Sequence, residues 1–66
     1  MRKGTRFIHI PSGVACEAIG DSLIEEWSDG QEIVWCNLLE VWGEIPVGST
    51  RIFPLSECML AEEKAA

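Results

Sequence analysis

Between Glu17 and Thr50 the chain contains no lysine or arginine, although eight carboxylates fall in that span. A surface built from such a stretch repels phosphate backbones, which excludes a broad face for duplex DNA or RNA. Long apolar runs are also lacking, and none approaches the roughly 20 residues of a transmembrane helix. The start, Met1-Arg2-Lys3-Gly4, is positively charged but is not followed by the apolar segment of a secretory signal, so the expected location is cytoplasmic. Paired cysteines are missing too. Cys16, Cys36 and Cys58 are odd in number and far apart, which suits buried free thiols better than a disulfide framework. His9 is the only histidine, and with the three cysteines it makes a nominal four-ligand zinc set. Structural zinc ligands in small domains come in close pairs, so neither a metal nor any other cofactor is expected. Phosphate loops, hydrolase elbows and dinucleotide fingerprints are absent. The acid pairs Glu25-Glu26 and Glu62-Glu63 put neighbouring carboxylates on opposite faces of a strand rather than together as acid and base. An enzyme is therefore not the expected reading.

What remains is a short, apolar and acidic chain. Its 66 residues allow one domain, expected to span 1–66 with 1–4 and 62–66 frayed. Apolar residues make up 47%, too many for a disordered segment, while the net charge of −6 serves solubility or attraction of a basic partner. An acidic surface of this kind could also imitate a nucleic acid toward a protein that binds one.

The organising stretch is Glu32 to Val41, EIVWCNLLEV, entered through Ser28-Asp29-Gly30-Gln31. It reads as the central strand, with Ile33 to Cys36 covered on both faces and Trp35 in the core. Before it, Thr5 to Ile10 alternates Arg6, Ile8 and Ile10 against Phe7 and His9, a first strand ended by Pro11-Ser12-Gly13. Val14 to Ile19 follows as a second strand, with Val14, Cys16 and Ala18 on one side. Leu23 to Trp27 has two readings. One is a hairpin arm pairing across Asp29-Gly30 with the central strand, and the other is a short helix over 22–28 begun by a Ser22-x-x-Glu25 capping box. The hairpin is favoured because that helix would hardly reach two turns. Trp42 to Gly48 holds too many breakers for regular structure. Ser49 to Phe53 reads as a strand stopped by Pro54, Leu55 to Glu57 as a single 3₁₀ turn, and Cys58 to Leu60 as a last edge strand. Together these predict an all-β fold, a small five-stranded SH3-like barrel with a single 3₁₀ turn before the last strand. A sheet with one short helix across it is the competing architecture.

The segment Gly48-Ser49-Thr50-Arg51-Ile52-Phe53-Pro54 resembles the Gly-Ser-Val-Gln-Ile-Tyr-Pro segment of the plasmid-borne type II dihydrofolate reductases. Gly4-Thr5-Arg6 and Ser12-Gly13 are similar to the first strand and turn of that family. The resemblance implies an SH3-like barrel, four copies of it around a pore, and a pore site at Arg51, Ile52 and Phe53 acting on NADPH and dihydrofolate. Arg51 stands where that family has glutamine and Phe53 where it has a tyrosine hydroxyl, which removes polar contacts the activity uses.

The tryptophans point elsewhere. Trp27, Trp35 and Trp42 are three large rings in a chain that can hardly bury them all, and exposed aromatics are enriched where proteins meet. The expectation is a small cytoplasmic protein-binding module, an accessory or inhibitory factor of phage, plasmid or bacterial origin. Trp27, Trp42 and Phe53 would supply apolar contact, and Glu25, Glu26, Asp29 and Glu44 would select a basic partner. Alternatives are the homo-oligomeric pore enzyme and a structural or assembly subunit.

Overall fold

The computed structural model describes residues 1–61. The chain forms β1 (Arg6–His9), β2 (Val14–Ala18), β3 (Leu23–Ile24), β4 (Glu32–Leu38), β5 (Thr50–Pro54) and β6 (Cys58–Leu60). One 3₁₀ turn, Glu26–Ser28, precedes β4, and a second, Leu55–Glu57, precedes β6. All strand pairs are antiparallel: β1 joins β2 and β6, and β4 joins β2, β3 and β5. β2 and β3 share one edge of β4, so the sheet runs β6, β1, β2 with β3, β4, β5. It curls into a small SH3-like barrel of five main strands, with the second 3₁₀ turn leading into the last strand as the breaker pattern predicts.

Alternation decides what lies inside. Phe7, Val14, Cys16, Ala18, Val34, Cys36, Leu38 and Phe53 form one buried cluster, each from the inward position of its strand. At roughly 25 cal/mol per Å² these side chains supply most of the stability a barrel this small can have. Met1, Trp42, Ile45 and Cys58 pack against the cluster from its margins.

Three expectations need correction. The residues 1–4 are not frayed: the Met1 ammonium donates to Ser22 Oγ (2.9 Å), the Lys3 amide to Asp21 Oδ1 (2.8 Å) and the Gly4 amide to the Ala18 carbonyl (2.8 Å). Ser22 Oγ in turn donates to a Glu32 carboxylate oxygen, which ties the chain start to the head of β4. Residues 62–66, also expected to fray, lie outside the described residues.

Leu23 to Trp27 follows neither reading in full. Leu23 and Ile24 pair with Ile33 and Glu32, as the hairpin requires, but the chain then turns into the 3₁₀ turn. Ser28 Oγ donates to the Glu25 carbonyl (2.7 Å) and accepts from the Glu25 amide (3.2 Å), so this serine closes the turn. Asp29 at φ 56° and Gly30 at φ 80° then reverse the chain, a left-handed pair that aspartate tolerates and glycine adopts freely.

Trp35 is not in the core. The inward positions of β4 are Val34, Cys36 and Leu38, so period two sends Trp35 outward, where it is 39% exposed.

Candidate protein-binding surfaces

The open end of the barrel is closed by an aromatic and polar clasp. His9 ends β1 and is buried, its ring stacked on Phe53 with centroids 3.7 Å apart and planes 10° apart. Trp42 tilts against both rings at 6.0 and 5.8 Å. It is held there by a tight turn in which the Trp42 and Ile45 amides each donate to the other's carbonyl, with Gly43 at φ 61°. His9 Nε2 lies 2.8 Å from Glu57 Oε1, and Nδ1 lies 2.7 Å from Ser12 Oγ. In the neutral imidazole Nε2–H donates to the Glu57 carboxylate, so Nδ1 accepts from the Ser12 hydroxyl.

Serine, imidazole and carboxylate in series is the connectivity of a nucleophilic triad. Its surroundings serve a structural role instead. Ser12 Oγ also accepts the Val14 amide (3.3 Å), and the Gly13 amide is spent on the His9 carbonyl (2.7 Å), so neither amide is free to receive an oxyanion. Cavities of about 450 Å³ beside Gly4, Thr5, Arg6, Leu60 and Ala61, and about 330 Å³ beside Met1, Leu55, Cys58 and Leu60, do not include His9 or Ser12. The clasp satisfies a buried polar ring and fastens the β1–β2 turn to the second 3₁₀ turn. Sequence reasoning missed it. The inward parity of His9 beside Phe7 was the available signal, but Glu57 comes from the far end of the chain.

The thiols are equally inert. Burial pushes Cys16 up to about 12 and Cys58 up to about 11, each reinforced by a neighbouring thiol, and burial also raises Cys36. Such groups stay protonated and are poor nucleophiles or ligands. Among the described residues no cluster of His, Cys, Asp and Glu side chains is arranged to hold a metal ion.

The expected contact residues divide. Phe53 points into the barrel at 6% exposure and is lost to any partner surface, and Trp42 is half-buried in the clasp above it. Glu44 is exposed in the Trp42 turn. Trp27, Glu25, Glu26 and Asp29 do come together: the first 3₁₀ turn and its caps carry all four, with Trp27 60% exposed. No described basic side chain forms an ion pair with these carboxylates, since the pairs within the described residues are Arg6–Glu17 and His9–Glu57. The residues of the pore reading, Arg51, Ile52 and Phe53, alternate along β5, so Ile52 faces outward and Phe53 inward.

A second surface was not foreseen. On the outer side of the sheet, Leu23, Ile33 and Pro54 form one row across β3, β4 and β5. Ile19, Trp35 and Ile52 form the next, since the Ile19 amide donates to the Trp35 carbonyl (3.0 Å) and Trp35 pairs with Ile52. Ile33 is buried yet stands outside the core cluster. Ile19, Leu23, Trp35 and Ile52 remain exposed.

Comparison with protein-family models, with curated proteins and with solved structures finds no match to this chain. Among the described residues no helix is long and apolar enough to cross a membrane.

Proposed function

We propose that this chain is a small protein-binding module whose first 3₁₀ turn receives a basic segment of a partner. The observation that carries this reading is Trp27, exposed on a turn whose remaining side chains include Glu25, Glu26 and Asp29. An indole face attracts a lysine or arginine head by cation–π interaction, and nearby carboxylates add charge-assisted hydrogen bonds. The turn is preset: Ser28 closes it, β3 and β4 hold its two ends in register, and the Asp29-Gly30 pair fixes its exit. Preorganisation of this kind lowers the ordering cost of binding. The acid-only stretch from Glu17 to Thr50 extends the negative field around the turn and speeds encounter with a positive partner. Its action would be occupancy, in an accessory or inhibitory role within a bacterial or phage-infected cytoplasm.

The test is capture of partners from bacterial lysate on the immobilised protein at low and high salt. Alongside it, a Lys/Arg-rich peptide is titrated against the wild type and against a Trp27→Ala, Glu26→Lys variant. Salt-sensitive capture lost in the folded variant supports the reading. Full binding by that variant, with its circular dichroism unchanged, removes the turn as the site.

A further inference from the structure

The outer sheet face differs in charge from the rest of the molecule. Its outward strand positions are Arg6 and Ile8 on β1, Ala15, Glu17 and Ile19 along β2, Leu23 on β3, Ile33, Trp35 and Asn37 on β4, and Thr50, Ile52 and Pro54 on β5. Only Arg6 and Glu17 are charged, and they pair with each other at 3.5 Å. The face is therefore neutral in a chain of net charge −6, and among the described residues the unpaired acids fall on turns and strand ends. Beyond the apolar rows runs a polar row, Glu17, Asn37 and Thr50, in which Thr50 Oγ1 donates to Asn37 Oδ1 (2.9 Å).

We infer that this face docks a second copy of the chain, forming a two-fold dimer centred on Trp35. The inference goes beyond the basic-partner reading and does not depend on it. A basic partner gains nothing from a face without net charge, whereas two copies meet there without opposing their acids. The polar border is self-complementary, because a two-fold axis through the apolar rows can bring Arg6 of each copy toward Glu17 of the other. Trp35 at the middle, flanked by Ile19 and Ile52 and bordered on one side by the polar row, has the central aromatic position of an interface hot spot. A core this small also gains from association, which covers apolar surface the barrel leaves exposed.

Sedimentation equilibrium up to about 1 mM protein, the weak end of measurable association, tests the proposal. The wild type should move from monomer to a species of twice 7.3 kDa. Because the two copies carry like charge, association should tighten several-fold between about 50 and 500 mM salt. Trp35→Ser and Ile52→Asp should each weaken it by tenfold or more. Arg6→Glu and Glu17→Arg should each weaken it, and an equimolar mixture of the two single variants should associate again, which an ion pair confined to one copy would not do because each variant alone lacks it. Where a sheet-face variant unfolds, a dilution series of wild-type amide spectra gives the readout, with shifts concentrated at Ile19, Trp35 and Ile52. A monomer at every concentration overturns the proposal, as does an oligomer that both apolar substitutions leave intact.

Discussion

Trp27 and Trp35 are both exposed, both close to the central strand, and built for different uses. Trp27 rides on a single 3₁₀ turn among carboxylates, with nothing apolar beside it on that turn. Trp35 lies in the middle of a sheet, with isoleucines on the strands to either side and one neutral ion pair at the border. An isolated ring in a negative field selects a cation, while a ring within an apolar row selects another apolar surface. Exposure alone therefore does not define a binding site. The neighbours, set by strand register, decide what the ring can recognise.

The first way to sharpen this contrast is to establish that the clasp belongs to neither surface. Phe53→Ala removes a buried ring stacked on His9, and should cost about 3 to 5 kcal/mol by urea titration, against less than about 0.5 for Trp27→Ala. A Phe53→Ala cost near that of Trp27→Ala would return Phe53 to the surface.

The thiols mark the same interior by pH. Cys16 and Cys58 are raised in the folded state, so the unfolded chain loses its thiol protons first as pH climbs. Their contribution is whole below pH 9.0 and is lost through about 11 for Cys58 and about 12 for Cys16. At 1.36 kcal/mol per pKa unit, Cys16 alone should make the fold about 3 kcal/mol less stable at pH 11 than at pH 8. Urea midpoints at the two pH values measure this, and Cys16→Ala should flatten the slope. An unchanged slope would mean that the thiol ionises without opening the barrel.

How much of this could be read from the chain depends on which physical rule governs each part. Period-two alternation placed Phe7, Val14, Cys16 and Ala18 inward, and Pro54 marked the boundary after which Leu55–Glu57 forms the second 3₁₀ turn. Local rules of that kind need no knowledge of the far strand. The same alternation would have turned Trp35 outward, but four consecutive apolar residues, Ile33 to Cys36, gave the impression of cover on both faces. Ile33 is indeed buried, whereas Trp35, two positions further on the same face, is exposed. Trp27 with its three acids was recognisable because it is contiguous. The separation of Trp42 and Phe53 from them was not legible, because both rings pack against His9 from distant parts of the chain. The Ile19, Trp35, Ile52 row needs two strand registers at once, which no single stretch of sequence contains.

Exchange of the two tryptophans tests the contrast directly. Trp35→Ser should weaken self-association by tenfold or more, a change of about 1.4 kcal/mol, and leave binding of a Lys/Arg-rich peptide within about twofold. Trp27→Ala should do the reverse. Parallel losses in both assays would mean that the two rings serve one continuous surface rather than two.

The smallest expected effect is the most discriminating, because its sign differs between the two surfaces. Capture of a positive segment by the Glu25, Glu26 and Asp29 turn relies on attraction across solvent, and salt screens it, so affinity should fall several-fold between about 50 and 500 mM. Dimerisation through the neutral face has little charge to lose at the contact, whereas the two bodies, each at −6, repel over roughly the Debye length. Screening relieves that repulsion, so the same change in salt should strengthen self-association. Peptide titration and sedimentation on one preparation give both slopes. Opposite signs support two separately built surfaces. If both fall with salt, attraction beyond the two border Arg6–Glu17 pairs must outweigh the repulsion of the bodies, and the contact would then have to bring Arg51 onto an acidic turn rather than join the Trp35 faces.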